Sequence, residues 1–118
     1  MKALTAVFLL LAVTVAAQQR VDIVSVTGCL REPKPGEWRV VNATDPVPSV
    51  ANAPVKAEMP TAIPSGKNEF QLIGVGEFRL PTFKDKTVVV KGLFIKAAPV
   101  SRLNITSVVE AFPACGPA

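Results

Sequence analysis

The side chains available for catalysis in this chain are acids, serines and lysines, because the 118 residues include no histidine. Hydrolytic triads need a base such as histidine to activate serine or cysteine, which argues against that class of active site. None of the five serines begins the S-x-x-K spacing of serine–lysine enzymes. The nine acidic residues are scattered singly rather than in an EF-hand-like run. We therefore predict a non-enzymatic protein with no catalytic residue, no metal site and no cofactor.

Aromatic and basic residues form one candidate ligand-facing patch. Its members are Phe78, Arg79, Phe83, Lys84 and Lys86. Barrels that bind single-stranded nucleic acid combine such aromatic platforms with a basic groove. The net charge of only +4 argues against nucleic acid as the partner. Packing of both rings into one end of the fold is the favoured alternative to stacking on a ligand. Further charge on the outer face is expected from Arg39, Lys91, Lys96 and Arg102.

Residues 1–17 have the pattern of a secretory signal peptide. Lys2 precedes an apolar run over residues 6–13, and small residues follow up to Ala17. The run is shorter than the roughly 20 residues that span a bilayer comfortably, which disfavours an uncleaved anchor. We predict cleavage after Ala17, a mature domain of residues 18–118, no stable membrane span after cleavage, and a secreted or periplasmic location.

The two cysteines, Cys29 and Cys115, lie near the two ends of the predicted mature chain. Two cysteines in an oxidising compartment most often pair with each other. A reactive thiol and an intermolecular disulfide are the alternatives, but neither cysteine has a C-x-x-C neighbour or a histidine partner. The prediction is a structural disulfide that encloses 85 residues.

Five segments have the composition and alternation of β-strands, and none is a convincing helix. They are residues 21–30, 37–42, 69–73, 87–96 and 103–112. Trp38 and Phe70 share the parity of apolar neighbours, which favours core packing for both. In the last strand, the alternation places Leu103, Ile105, Val109 and Ala111 inward. The pattern predicts an all-β protein, a small five-stranded Greek-key barrel of the oligonucleotide/oligosaccharide-binding (OB) type, with a sandwich as the alternative.

Two connections between these strands are unusual. Residues 43–68, called the Pro-rich segment below, contain five prolines and little charge. This composition favours an extended segment lying over the surface, and so long a connection is usually functional or disordered. The connection over residues 74–86 is predicted to hold a single helical turn around residues 77–80.

Several short motifs resemble those of small exported bacterial OB-like proteins of unknown function. They are VTGCL at 26–30, WRV at 38–40, FQLIG at 70–74, VVVKG at 88–92, residues 103–108 and the terminal Cys115. The resemblance covers residues 21–115 apart from the Pro-rich segment, and it implies the fold and export without any catalytic residue. The function expected from the sequence is that of a binding module for a small ligand, a glycan or an envelope protein. The alternative is an envelope interaction or inhibitor protein that uses the Pro-rich segment. Sequence alone specifies neither the ligand nor the oligomeric state.

Overall fold

The computed structural model describes residues 22–116, and this part of the chain is all-β. Its strands are β1 (Ile23–Lys34), β2 (Glu37–Ala43), β3 (Val47–Pro48), β4 (Asn68–Ile73), β5 (Thr87–Ile95) and β6 (Ser101–Phe112). Two short 3-10 helices, Lys56–Glu58 and Leu80–Phe83, complete the elements. The predicted signal peptide, residues 1–17, lies outside the described residues. Within them, no helix is long and apolar enough to cross a membrane.

Five of the strands close into a barrel. Strand β1 pairs with β2 and with β5, β2 pairs with β4, and β5 pairs with β6, all antiparallel. A parallel pairing of β4 with β6 closes the circle. This order confirms the predicted five-stranded OB-like barrel and excludes the sandwich. The two-residue strand β3 adds to β1 outside the barrel.

The core fills the barrel interior from the faces that the sequence alternation indicates. Strand β1 alternates between buried and half-buried positions as far as Gly28, as expected of a strand with one face inward. Trp38 and Phe70 are both core residues, as predicted. The buried core residues from the five barrel strands and the 80–83 helix are Val24, Val26, Leu30, Trp38, Val40, Ala43, Phe70, Leu72, Leu80, Val88, Val90, Leu103 and Ile105.

The predicted inward face of β6 is wrong after Ile105. Ile105 pairs with Gly92 and Ser107 pairs with Lys91, so Thr106 is an extra residue on β6. A bulge of this kind reverses the alternation beyond it. As a result Val108 packs against the core, whereas Val109 and Ala111, predicted to face inward, are not part of the core.

Two local boundaries also differ from the sequence prediction. Strand β1 continues through Pro33 to Lys34, with a register irregularity after Arg31, so only Pro35 and Gly36 form the turn. The helical turn predicted at residues 77–80 begins instead at Leu80. Pro81 lies in its first turn, where its fixed φ favours helix initiation.

Gly28 is required where β1 passes close to the end of β2. A Cβ atom at this position would lie 2.8 Å from the Val41 carbonyl oxygen and 2.9 Å from the Ala43 Cα atom, both backbone atoms. We expect Gly28→Ala to lower the free energy of unfolding by about 1–3 kcal/mol, because the two strands would have to move apart. Urea denaturation measures this loss. The control is Gly76→Ala, since a Cβ there meets nothing within 4 Å; equal losses in both variants would contradict the close-approach explanation.

The predicted disulfide is present. Cys29 and Cys115 are bonded, with their Cα atoms 5.3 Å apart. Cys29 is buried but lies outside the core cluster, so the bond lies on the outer surface of the barrel. The Thr87 hydroxyl donates to the Ala114 carbonyl oxygen at 2.7 Å and fixes the tail beside the disulfide.

Candidate functional site

The Pro-rich segment lies across the outside of the barrel and is fixed at its first end by β1. Ser25 pairs with Val47 through β3, and the Ser49 amide donates to the Ile23 carbonyl oxygen at 2.9 Å. The Thr44 amide donates to the Thr27 carbonyl oxygen, also at 2.9 Å. Prolines at 46 and 48 restrict β3 to two residues, since proline cannot donate to a ladder. The segment is therefore a surface covering with defined contacts, as its composition predicted.

The middle of the segment is held by an ion pair to the barrel. Lys91 projects from the outer face of β5, and its Nζ lies 2.9 Å from each carboxylate oxygen of Glu58. The Lys91 side chain is 0% exposed, whereas 31% of the Glu58 side chain reaches solvent. The sequence places Lys91 on the outer face correctly, but the expectation of added surface charge is wrong because the Pro-rich segment covers it.

The Glu58 carboxylate accepts two further hydrogen bonds from its own segment. The Ser49 hydroxyl donates at 2.9 Å and the Val55 amide at 3.1 Å. The Lys91 ammonium, followed by these two donors, lowers the pKa of Glu58 from 4.5 to about 2. The Glu58 carboxylate therefore stays charged over the neutral and mildly acidic range.

The second end of the segment returns alongside β2. The Gly66 amide donates to the Asn42 carbonyl oxygen at 3.1 Å, and Gly66 packs so tightly on the Ala43 backbone that no Cβ would fit. Ile63 lies beside Gly116 of the disulfide-anchored tail. Both termini of the segment are thus tied to the barrel, and its central part depends on Glu58.

An open cleft lies between the first half of the Pro-rich segment and one end of the barrel. We call it the Phe94 cleft; its volume is about 680 Å³, within the usual range of small-molecule sites. The apolar side chains lining it come from β1, β5 and the segment. They are Ile23, Val24, Phe94, Pro46, Pro48, Val50 and Ala51. Asp22 and Ser49 are the polar members, so among the described residues Asp22 is the only charged group that lines it.

The floor of the cleft is rigidly supported. The Phe94 ring packs edge-on against the core ring of Phe70, with centroids 6.2 Å apart and planes at 75°. The Phe94 amide also donates to the Asp22 carbonyl oxygen at 3.0 Å. A smaller depression of about 410 Å³ adjoins the cleft and shares Pro46 and Phe94 with it. A preformed floor of this kind lowers the entropic cost of binding a ligand.

The candidate patch predicted from the sequence lies elsewhere, near residues 78–86. The structure places both of its rings, Phe78 and Phe83, against the core. The Lys86 ammonium contacts Glu110 at 2.9 Å and the Lys84 ammonium lies 3.6 Å from Glu32. Arg79 is exposed. Packing of Phe78 and Phe83 against the core, the alternative favoured in the sequence analysis, fits these contacts better than stacking of the two rings on a ligand. Lys84 and Lys86 are paired with acids, so their charge is compensated.

Most of the acidic residues serve in ion pairs. Besides Glu58, the paired carboxylates are Glu32, Glu37, Glu69, Asp85 and Glu110. Hydrogen bonds from the Arg39 guanidinium to Glu69 and to Glu37 raise the pKa of Arg39. Within residues 22–116, no three potential metal-ligating side chains come together.

The Phe94 cleft was not identified from the sequence, although its parts were. Phe94 was placed on a central strand, and the Pro-rich segment was recognised as unusual. The one sequence signal for the cleft is Val50, an apolar residue in a segment that lacks the periodicity of a strand or helix packed on a core. Nothing local indicates that this segment returns to the β1–β5 end of the barrel.

Comparisons of this chain with protein-family models, with curated proteins and with solved structures find no match. The resemblance to exported OB-like proteins accordingly stays a prediction, and function is inferred from the site itself.

Proposed function

We propose that this protein is an exported, non-enzymatic binding module whose ligand is a small apolar molecule held in the Phe94 cleft. The observation that carries the proposal is the cleft itself, whose lining in the described part of the chain is mainly apolar and includes one charged group, Asp22. Such a lining stabilises an apolar ligand by removing its surface from water. A glycan is less well matched because, within residues 22–116, Asp22 and Ser49 are the only polar side chains on the walls. The Asp22 carboxylate disfavours an anion, so we expect a neutral or cationic ligand.

Two features support an exported location, secreted or periplasmic. Residues 1–17 have the signal-peptide pattern, and Cys29 and Cys115 form a disulfide. Disulfides persist in oxidising compartments outside the cytosol. Determination of the N-terminal residue of the purified secreted or periplasmic protein tests this part of the proposal, with Gln18 expected first.

The ligand proposal is tested by fluorescence titration with N-phenyl-1-naphthylamine, a neutral apolar probe. We expect saturable binding with a Kd of about 1–100 μM, the range for a small ligand in an open cleft. Val50→Asp should raise this Kd at least about tenfold, because it puts a second carboxylate in the cleft. Ile95→Asp is the control: Ile95 is also an exposed apolar residue and follows Phe94 on β5, but it does not line the cleft.

Either of two outcomes would contradict the ligand proposal. One is the absence of saturable binding to the unmodified protein. The other is equal weakening by Val50→Asp and Ile95→Asp, which would show that the affinity for the probe does not depend on the cleft wall.

A second function is favoured by one observation on the Pro-rich segment. Val47, Val50 and Val55 expose 56%, 63% and 61% of their surface, so three solvent-exposed valines lie on one segment. Exposed apolar patches mark protein contacts. An envelope protein that bound this surface would lose affinity with Val55→Asp as well as with Val50→Asp, which separates it from the cleft ligand.

A further inference from the structure

We infer that the Glu58–Lys91 ion pair holds the Pro-rich segment closed over the barrel and thereby positions one wall of the Phe94 cleft. Ligand affinity should then depend on whether the segment is open or closed. The closure itself rests only on contacts within the described residues. Its consequence for a ligand rests on the proposed function.

The first step is that Lys91 has one carboxylate partner. Across the sheet it is flanked by Ser25 on β1 and Ser107 on β6, which are its register partners and carry no charge. A small cavity of about 200 Å³ beneath the segment is lined by Glu58 and by uncharged residues, among them Ser25. Among the described residues, Glu58 is the only acid within salt-bridge distance of Lys91. A buried ammonium without a partner is strongly unfavourable, so Lys91 holds Glu58, and with it the segment, against the barrel.

The second step is that Ser49 links the ion pair to the cleft. Its hydroxyl donates to Glu58 Oε2 and its amide donates to the Ile23 carbonyl oxygen, both at 2.9 Å. Ser49 and Ile23 also line the Phe94 cleft. A displacement of Glu58 is therefore transmitted through one residue to the cleft wall.

The third step is that the segment has few other anchors between Ser49 and Glu58. Residues 50–55 form no strand, and Val50 and Val55 expose most of their surface. Segments with few buried apolar contacts open at low free energy. Without Glu58, the segment would move away and let water reach Lys91.

Amide hydrogen exchange of the full protein, followed by NMR, tests closure directly. We expect Glu58→Gln to accelerate exchange of the Ser49 amide at least about tenfold, because opening of the segment breaks its hydrogen bond to the Ile23 carbonyl oxygen. This amide does not itself contact Glu58, so faster exchange reports opening and not the loss of a direct contact. The Leu30 amide, bonded to the Lys86 carbonyl oxygen elsewhere on the barrel, should keep its rate and thus report that the barrel stays folded. Glu110→Gln is the matched control, since it breaks another lysine–glutamate pair with a 2.9 Å contact, away from the segment. If Glu58→Gln does not fold, Glu58→Ala with Lys91→Met removes the same anchor without leaving a buried charge.

The results separate closure from ligand binding. An unchanged exchange rate of the Ser49 amide in Glu58→Gln, or in Glu58→Ala with Lys91→Met, overturns the inference regardless of the affinity for the probe. If the unmodified protein binds N-phenyl-1-naphthylamine, we expect Glu58→Gln to weaken it at least about fivefold. Equal affinity despite faster Ser49 exchange overturns the link to the cleft. No probe binding by the unmodified protein refutes the proposed function alone, and the exchange rates still decide on closure.

Discussion

Replacing both Cys29 and Cys115 by alanine is expected to lower the free energy of unfolding by roughly 4–5 kcal/mol. The disulfide joins positions separated by 86 in sequence, so its loss restores a large conformational entropy to the unfolded chain. The free energy of unfolding of domains of this size is small, so a loss of this magnitude removes a large fraction of it. Urea denaturation monitored by fluorescence measures the change, because the chain has a single tryptophan, Trp38, and it is buried in the core.

A reducing agent provides the control for the disulfide. It should bring the unmodified protein to the stability of the double variant and leave the double variant itself unchanged. A loss below about 1 kcal/mol would show that the chain ends are held mainly by other contacts. Those contacts include the Thr87–Ala114 hydrogen bond and the packing of Ile63 beside Gly116.

The Glu58–Lys91 pair is expected to give an asymmetric response to substitution. Glu58→Gln removes the counterion of a fully buried ammonium, so the folded protein must either keep that charge unpaired or open the Pro-rich segment to hydrate it. Both cost free energy, and we expect the melting temperature to fall by at least about 5 °C. Lys91→Met leaves a carboxylate that already reaches solvent and fills the buried space with an apolar chain of similar length. Its melting temperature should stay within about 3 °C of the unmodified protein.

The double variant, Glu58→Gln with Lys91→Met, completes the cycle. Differential scanning calorimetry should place it above Glu58→Gln alone, because the unpaired charge is gone. Equal losses from the two single substitutions would mean that water already reaches Lys91 and that the ion pair is an ordinary surface contact.

Acid should weaken the protein through the same pair. Because the folded-state pKa of Glu58 is about 2 and its ordinary value is 4.5, the unfolded chain binds the proton more readily. The contribution of Glu58 to stability is therefore complete above about pH 4.5 and is lost as the pH falls towards 2. Urea midpoints measured from pH 5 to pH 2.5 should fall more for the unmodified protein than for Glu58→Gln with Lys91→Met, which lacks the Glu58 carboxylate. Parallel curves would contradict the lowered pKa.

The barrel strands could be read from the sequence because their signals are local. Alternation at Trp38 and Val40, and at Phe70 and Leu72, reflects one face turned to the core, and all four residues are buried there. The disulfide could be predicted because the signal-peptide pattern suggests an oxidising compartment and two cysteines allow one intramolecular pairing. These features depend on residue types and near neighbours, which a single sequence contains.

The remaining features depend on contacts between distant residues. The extra residue Thr106 arises from the pairing of β6 with Gly92, which alternation within β6 does not encode. Strand β3 is too short to give a periodic signal. Glu58 and Lys91 are 33 residues apart, and the burial of Lys91 follows only when the Pro-rich segment is laid over β5. The Phe94 cleft exists for the same reason, as it lies between that segment and the barrel.

Chemical-shift mapping with N-phenyl-1-naphthylamine tests the central claim, ligand binding in the Phe94 cleft, most directly. In a titration of the isotope-labelled protein, we expect the largest changes at Ile23, Ser49, Val50 and Phe94, with little change at Phe78, Arg79 and Phe83. Changes centred on residues 78–86 would instead support the aromatic–basic patch as the binding site. The absence of saturable changes at the cleft residues would contradict the proposed function.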